Sequence, residues 1–357
     1  MRLSERKLKI LSAAVELYIL TGEPVGSKAI CDTLDTAVSS ATVRNELAEL
    51  SEMGLLMQPH TSAGRVPSPA GYRLYIDSLS GKDALTQTEK SRISLSIKKF
   101  DDPSETLEQA VGSLAELTQC ACVSTTPFDR AAFVKKVELV QLEPRTVMLA
   151  LLSSTGICKT VMCRTVFPLS EEAREVFSNF LDQKICGAKL SKLSRADIQT
   201  MALELGAHSL ILSPLLAGLS QVAQRAAETG VIMNGQTKLL GDSRLALDDI
   251  RLLMDFLGSA QPIAAMLSQM ANLSERPTGI NLRVLLGKES GYSELGASSV
   301  VAAKYEMGGS VQGHLGVIGP VRMNYAKIIP CVEYFAAELS KILYEDLQGG
   351  NAWEQQN

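Results

Sequence analysis

Residues Ser39 to Tyr75 read SSATVRNELAELSEMGLLMQPHTSAGRVPSPAGYRLY, and this stretch decides the fold of the N-terminal part. The polar lead Ser39-Ser40-Ala41-Thr42 opens a helix whose apolar face is Val43, Leu47 and Leu50, spaced i, i+4 and i+7. Gly54 falls where a helix C-terminus takes a left-handed residue. Leu55-Leu56-Met57 reads as a short strand, Ser62-Ala63-Gly64 as a tight turn and Val66 as the start of a return strand. Helix, strand, turn, strand is the back half of a winged helix-turn-helix, a unit that puts a helix into the major groove with a β-hairpin beside it.

Upstream lies the front half. Ser4 can cap a helix carrying Leu8, Leu11, Val15 and Tyr18 on one face, ended by Gly22 and prevented from continuing by Pro24. Ser27 can cap a second helix with Ala29, Ile30 and Leu34, and Asp35 to Val38 forms the turn before the recognition helix. With Val43, Leu47 and Leu50 facing the core, Thr42, Arg44 and Asn45 stand exposed near the helix N-terminus, the end that meets base edges. Arg pairs bidentately with guanine and Asn with adenine. Ser39 and Ser40, at a helix start with free N–H groups, suit a phosphate oxygen. Arg65, beside Gly64 at the expected wing tip, could reach a phosphate or the minor groove, with His60, Thr61 and Ser62 as neutral phosphate contacts. A merely solvated helix face is the competing reading of Arg44 and Asn45; a helix before them and a wing after them favour DNA.

Charge tempers this picture. Residues 1–80 hold eight Lys and Arg against nine acids. Attraction to DNA would therefore depend on local placement, with Lys28, Arg44, Arg65 and an Arg2-Arg6-Lys7-Lys9 arm on one side.

These motifs resemble the HrcA family of heat-inducible transcription repressors. The family's recognition helix, wing and following Gly-Tyr-Arg helix are similar to Ala41-Thr42-Val43-Arg44-Asn45-Glu46-Leu47, to His60-Thr61-Ser62-Ala63-Gly64-Arg65, and to Pro67 with Gly71-Tyr72-Arg73. Near the C-terminus its Gly-Pro-Thr-Arg-Met-Asp-Tyr resembles Gly319-Pro320-Val321-Arg322-Met323-Asn324-Tyr325. Two stretches depart from the pattern: Ser39-Ser40 replaces Ser-Pro, and Leu286-Gly287-Lys288-Glu289-Ser290 stands for Ile-Gly-x-Glu-Asn. The resemblance implies a homodimer that binds an inverted-repeat operator on double-stranded DNA upstream of chaperone genes, releases it on heat stress, and is kept active by the GroE chaperonin. It also implies a GAF-like domain interrupted by a dimerising domain.

The remaining sequence divides by pattern. Thr86-x-x-Glu89 is a capping box, Asp102-Pro103 starts a helix with Leu107, Val111 and Leu114 on one face, and strands follow from Phe133 to Val166. Residues from Ser170 to about Ala271 read as helical; strands return after Pro277, and an amphipathic helix from Tyr325 to Leu347 ends at Gly349-Gly350. The expected fold is α+β and multidomain: a winged helix-turn-helix at 1–80, a linker helix at 81–102, a GAF-like α/β sheet domain at 103–168 and 277–347, an inserted mostly helical dimerising domain at 169–276, and a disordered tail at 348–357. That helical block is rich in Leu, Ile and Met and is expected to supply most of the dimer interface.

Composition excludes several classes. At 46% hydrophobic and 21% charged residues the 357-residue chain is globular. No apolar run reaches membrane-spanning length and no signal-peptide pattern opens it, so a cytoplasmic protein is expected. Seven scattered Cys without a C-x-x-C pair, and three His without ligand spacing, point to reduced thiols and no metal or cofactor. The Gly-rich tract around Gly308-Gly309 lacks a P-loop's Gly-Lys-Ser/Thr, and no Ser/His/Asp grouping has supporting context, so no enzyme is expected. The alternative function is a small-molecule-responsive regulator with its effector site in the GAF-like domain.

Overall fold

Helix caps and glycines set the N-terminal elements. The computed structural model describes residues 3–34, 39–60, 63–79, 85–100, 102–129, 131–203, 205, 209–271, 282–308 and 311–351. Ser4 accepts the Lys7 N–H and starts α1 (Glu5–Thr21), which Gly22 ends at φ 75°. Then come α2 (Ser27–Thr33) and α3 (Ser40–Glu52), followed by β1 (Leu56–Met57) paired antiparallel with β2 (Val66–Pro67), and α4 (Pro69–Ser78). Gly54, at φ 72°, turns the chain from α3 into β1, as its position in the sequence suggests. Ile10, Leu11 and Val15 of α1, Ile30 of α2, and Val43, Leu47 and Leu50 of α3 are buried together with Leu55, Leu56, Tyr75 and Ile76. The expected turn at Asp35 to Val38 lies outside the described residues. Ser27 does not cap α2; the residue ahead of the helix is Gly26, and the Ser27 hydroxyl meets Ser40 instead.

Beyond this come α5 (Gln87–Ser96), whose Thr86–Glu89 capping box forms, and α6 (Pro103–Thr118). A five-stranded sheet follows in the order β7 (Val231–Asn234), β3 (Ala121–Thr125), β10 (Val311–Pro320), β9 (Ser298–Gly308), β8 (Leu282–Leu286). One face packs Ala121, Val123, Val300 and Ile318 against the apolar stripes of α10 (Gln236–Leu240), α11 (Leu247–Leu257) and α12 (Ala260–Ala271). Strand alternation turns Cys122 to the other face, where its Sγ lies 3.5 Å from Thr118 of α6 and near Cys331 of α13 (Tyr325–Asn351). Burial pushes the Cys120 and Cys331 thiols up to about 11, so both stay protonated and unreactive at neutral pH.

Between β3 and β7 runs a three-stranded antiparallel sheet: β4 (Val134–Glu143), β5 (Thr146–Ser153) and β6 (Cys158–Arg164). It is followed by α7 (Glu171–Phe180), α8 (Arg195–Ala202) and α9 (Ser209–Ala227). Val134, Val147, Leu149, Leu151 and Cys163 share one core with Phe177, Leu212, Leu215 and Leu219. The chain accordingly divides into two compact units, one of residues 3–125, 231–305 and 314–346, the other chiefly of 126–230.

This corrects the boundaries read from sequence. The 133–166 strands do not join the C-terminal strands in one sheet; they form their own sheet and bury their inner face under helices that follow them directly. Residues 236–271 belong instead to the five-stranded sheet, whose face their apolar stripes cover. The insertion is 126–230 rather than 169–276. The cause is β7, four residues between Gly230 and Gly235 inside a stretch that read as helical. It pairs with β3 and closes the five-stranded sheet at that edge. The C-terminal helix also continues through Gly349-Gly350 to Asn351, because a glycine weakens a helix by about 1 kcal/mol without forbidding it.

The outer face of the three-stranded sheet is apolar in part. Val140, Met148 and Met162 stand in one row across β4, β5 and β6. Met162 is 56% exposed, and Leu142, Val166 and Phe167 are exposed as well.

Candidate nucleic-acid interface

Helix α3 turns its polar residues outward because its buried side is fixed. Val43, Leu47 and Leu50 are at most 5% exposed, which leaves Arg44 and Asn45 on the open face. Neither takes a side-chain hydrogen bond or ion pair among the described residues. Their donors are therefore free for a ligand, and they lie in the first two turns of the helix. At its start Ser39 Oγ accepts the Thr42 N–H at 3.2 Å and lies 2.9 Å from Thr42 Oγ1. Ser27 Oγ and Ser40 Oγ are 3.0 Å apart, which ties α2 to α3. These hydroxyls thus hold the helix start in place, and the N–H groups of Ser40 and Ala41, which have no partner among the described residues, remain available to an anion. Lys28 on α2 is exposed, as is His60. Thr61 and Ser62 lie outside the described residues.

Arg65 is not at a flexible tip. Its N–H donates to the Val25 carbonyl at 2.8 Å and its carbonyl accepts the Val25 N–H at 2.8 Å. A Cβ on Gly64 would collide with the backbone of Pro24 and Val25, so the hairpin's return strand is packed closely on the loop between α1 and α2. Gln58 Nε2 closes the hairpin by donating to the Ala63 carbonyl at 3.1 Å. The Arg65 side chain is half-buried, and its Nε is buried without a partner among the described residues. Such an unpaired donor costs free energy until it meets an acceptor.

Of the basic arm expected at the N-terminus, Arg2 lies outside the described residues, and Arg6, Lys7 and Lys9 are paired within the fold. Arg6 Nε donates to Glu46 Oε1 at 2.8 Å, Lys7 Nζ lies 3.8 Å from Glu46 and 2.6 Å from Glu49, and Lys9 pairs with Glu5 at 3.1 Å. The hydrogen bond to Glu49 leads in raising the Lys7 pKa. Sequence reasoning missed Glu46, which is only 4% exposed. The signal was present: Glu46 sits between Val43 and Leu47 on the core-facing stripe, and a carboxylate there needs a cation. Among the described residues of the N-terminal helices and hairpin, the cations still open to a ligand are Lys28, Arg44 and the outer part of Arg65.

Residues 104–329 match the family described as HrcA protein C terminal domain. A protein of Carboxydothermus hydrogenoformans described as heat-inducible transcription repressor HrcA is 33% identical over 343 residues, covering 96% of this chain and 98% of its own. A protein of the same description from Syntrophobacter fumaroxidans is 33% identical over 346 residues, with the same coverage of 96% and 98%. Among solved structures, the crystal structure of a hypothetical protein superposes with a TM-score of 0.64 at 23% identity, covering 97% of this chain and 100% of that one. That likeness bears on the fold.

Proposed function

Because the chain belongs to the HrcA family, we propose that it is a heat-inducible transcription repressor that binds an inverted-repeat operator as a homodimer. The observation that carries this is the open face of α3, with unpaired Arg44 and Asn45 beside a hairpin anchored by Arg65. We read residues 1–80 as a winged helix-turn-helix, α3 as its recognition helix and the hairpin as its wing. Arg44 and Asn45 read base edges; Ser39, Ser40, Thr42, Lys28, His60, Thr61, Ser62 and Arg65 position the unit on phosphates. The five-stranded sheet with helices against both faces supports the GAF-like reading, and residues 126–230 take the dimerising role. Their support is the apolar row Val140, Met148 and Met162 on the outer sheet face, a kind of surface that usually marks an interface. Two copies of one face give the twofold symmetry an inverted repeat demands.

Release on heating follows from loss of the dimer. A separated subunit would expose that face, and the GroE chaperonin would recycle it until stress-unfolded proteins compete for the same chaperonin. The protein acts in the cytoplasm and carries no cofactor or catalytic role. The test is footprinting on the DNA upstream of its own gene, then operator binding after mild heating with and without chaperonin and ATP. Protection of an inverted repeat that fades on heating and returns with chaperonin is expected. Full activity through heat-shock temperature, unaffected by chaperonin, would overturn the heat mechanism.

A second reading, a ligand-responsive regulator, draws on a cavity of about 150 Å³ in the sheet domain, lined by Ile93, Leu117, Cys120, Arg244, Lys327 and Cys331. An operator affinity that shifts with a small organic anion, and not with chaperonin, would favour it.

A further inference from the structure

Three stretches that the DNA-facing side chains leave without a role meet in one place. They are Gly71-Tyr72-Arg73 on α4, Leu286-Gly287-Lys288-Glu289-Ser290 after β8, and Gly319-Pro320-Val321-Arg322-Met323-Asn324-Tyr325 between β10 and α13. Arg73 Nη2 donates to the Val284 carbonyl at 2.9 Å, and Arg73 forms an ion pair with Glu289, whose Oε2 also accepts the Leu286 N–H at 2.9 Å. The Tyr72 and Tyr325 rings meet edge to face with centroids 6.1 Å apart. Tyr325 is itself fixed: its hydroxyl donates to the Val321 carbonyl at 2.6 Å and lies 2.9 Å from Ser299 Oγ. The Arg322 guanidinium lies over the Tyr18 ring of α1, 5.8 Å from its centroid. It fills the space beside Gly22, where a Cβ would collide with it. The Arg322 carbonyl in turn accepts Arg244 Nη1 at 3.4 Å, and Arg244 is paired with Asp242.

We propose that these contacts form a rigid joint between the N-terminal three-helix unit and the five-stranded sheet domain, in which Arg322 and Arg73 are positioning residues for operator reading. The joint uses the C-terminal end of α1 and the body of α4, and it leaves the open face of α3 clear. Neither arginine belongs to the cluster of Ile10, Leu11, Val15, Val43, Leu47 and Leu50 that holds the three helices together. What they fix is placement. Two recognition helices must sit about one helical turn of DNA apart to read both half-sites together. A loose joint lowers the effective concentration of the second helix at its half-site once the first is bound.

The inference rests on the dimeric operator reading, so its test carries a readout free of DNA. The full chain is compared with Arg322→Ala, Arg73→Gln and the conservative Arg322→Lys. Hydrogen exchange of the backbone is followed across 18–22 and 70–76, along with melting temperature, oligomeric state, and affinity for the inverted repeat and for a single half-site. Arg322→Ala and Arg73→Gln should exchange faster in those segments while the melting temperature and dimer are kept. They should lose about tenfold on the inverted repeat, keep half-site affinity, and tolerate altered half-site spacing; Arg322→Lys should restore most of the loss. Unchanged exchange in both variants overturns the joint, whatever DNA does. Equal loss on half-site and repeat overturns the positioning role and makes the arginines part of the DNA contact or of the fold. A wild-type protein that binds the repeat no better than a half-site would instead sink the operator reading, and exchange alone would then decide the joint.

Discussion

The open face of α3 and the outer face of the three-stranded sheet are both exposed among the described residues, and they differ in chemistry. On α3 the open groups are a guanidinium and an amide with unused donors; on the sheet they are Val140, Met148 and Met162. Free donors suit a ligand rich in acceptors, since pairing replaces water without leaving a buried group unsatisfied. An apolar row suits another apolar surface, at about 25 cal/mol per Å² removed from water. In the proposed function one face takes nucleic acid and the other a copy of the chain. Each can be broken without touching the other.

The largest expected effect lies on the sheet. Met162→Asp places a charge in the apolar row, and burying it unpaired should cost about 3 kcal/mol or more. Self-association should weaken at least a hundredfold by sedimentation, and operator binding should fall with it. The side chain points away from the core that holds Val161 and Cys163, so the monomer should stay folded. Leu252→Asp on α11, at a half-exposed apolar site of the sheet domain, is the matching control and should leave the dimer intact. The reverse result, a dimer kept by Met162→Asp and lost by Leu252→Asp, would return the interface to the helical stretch that the sequence suggested.

That contrast also explains what was legible. The α3 face could be read from residues because helical spacing assigns every side chain once Val43, Leu47 and Leu50 are placed. Caps were equally local: Ser4, Ser39, Thr86, Ser170 and Ser194 each accept the N–H three residues on. The sheet face could not be read that way. Period-two alternation shows that β5 has two faces, but not which sheet owns the strand, and Val231 to Asn234 is too short to stand out from its helical neighbours. Membership of a sheet is a long-range fact: β7 pairs with β3 more than a hundred residues earlier in the chain. The anchoring of the Arg65 backbone was hidden for the same reason, since its partner Val25 lies outside the hairpin.

On the α3 face, Arg44→Ala should cost about 1–3 kcal/mol of specific operator binding and relax selection at one base pair. Competition binding with a randomised operator measures both. Loss in equal proportion on specific and non-specific DNA would make Arg44 a phosphate contact only. Beneath that face, Glu46→Ala should lower stability by about 1–2 kcal/mol, less than a fully buried pair, because Arg6 stays largely exposed and can return to water. Denaturant melts of the full chain give the value. If the protein binds non-specific DNA more tightly after this change, Arg6 has become a free cation while Lys7 stays paired with Glu49, which would sharpen the conclusion that the fold holds Arg6 back.

The smallest effect belongs to Arg65. Its backbone is held by Val25 and only part of its guanidinium faces outward, so it can reach at most one phosphate. Arg65→Ala should weaken binding to all sequences alike, and the slope of log affinity against log salt should become shallower by about one unit or less. The base preference set by Arg44 should not move. Because the buried Nε has no partner among the described residues, removing it also removes an unsatisfied donor, and the melting temperature should hold or rise slightly. A salt titration and a thermal melt on the same variant separate the two consequences. An unchanged slope would remove the hairpin from the DNA contact and leave α3 to bind alone. A changed base preference would move Arg65 into a groove and make the hairpin a reader of sequence.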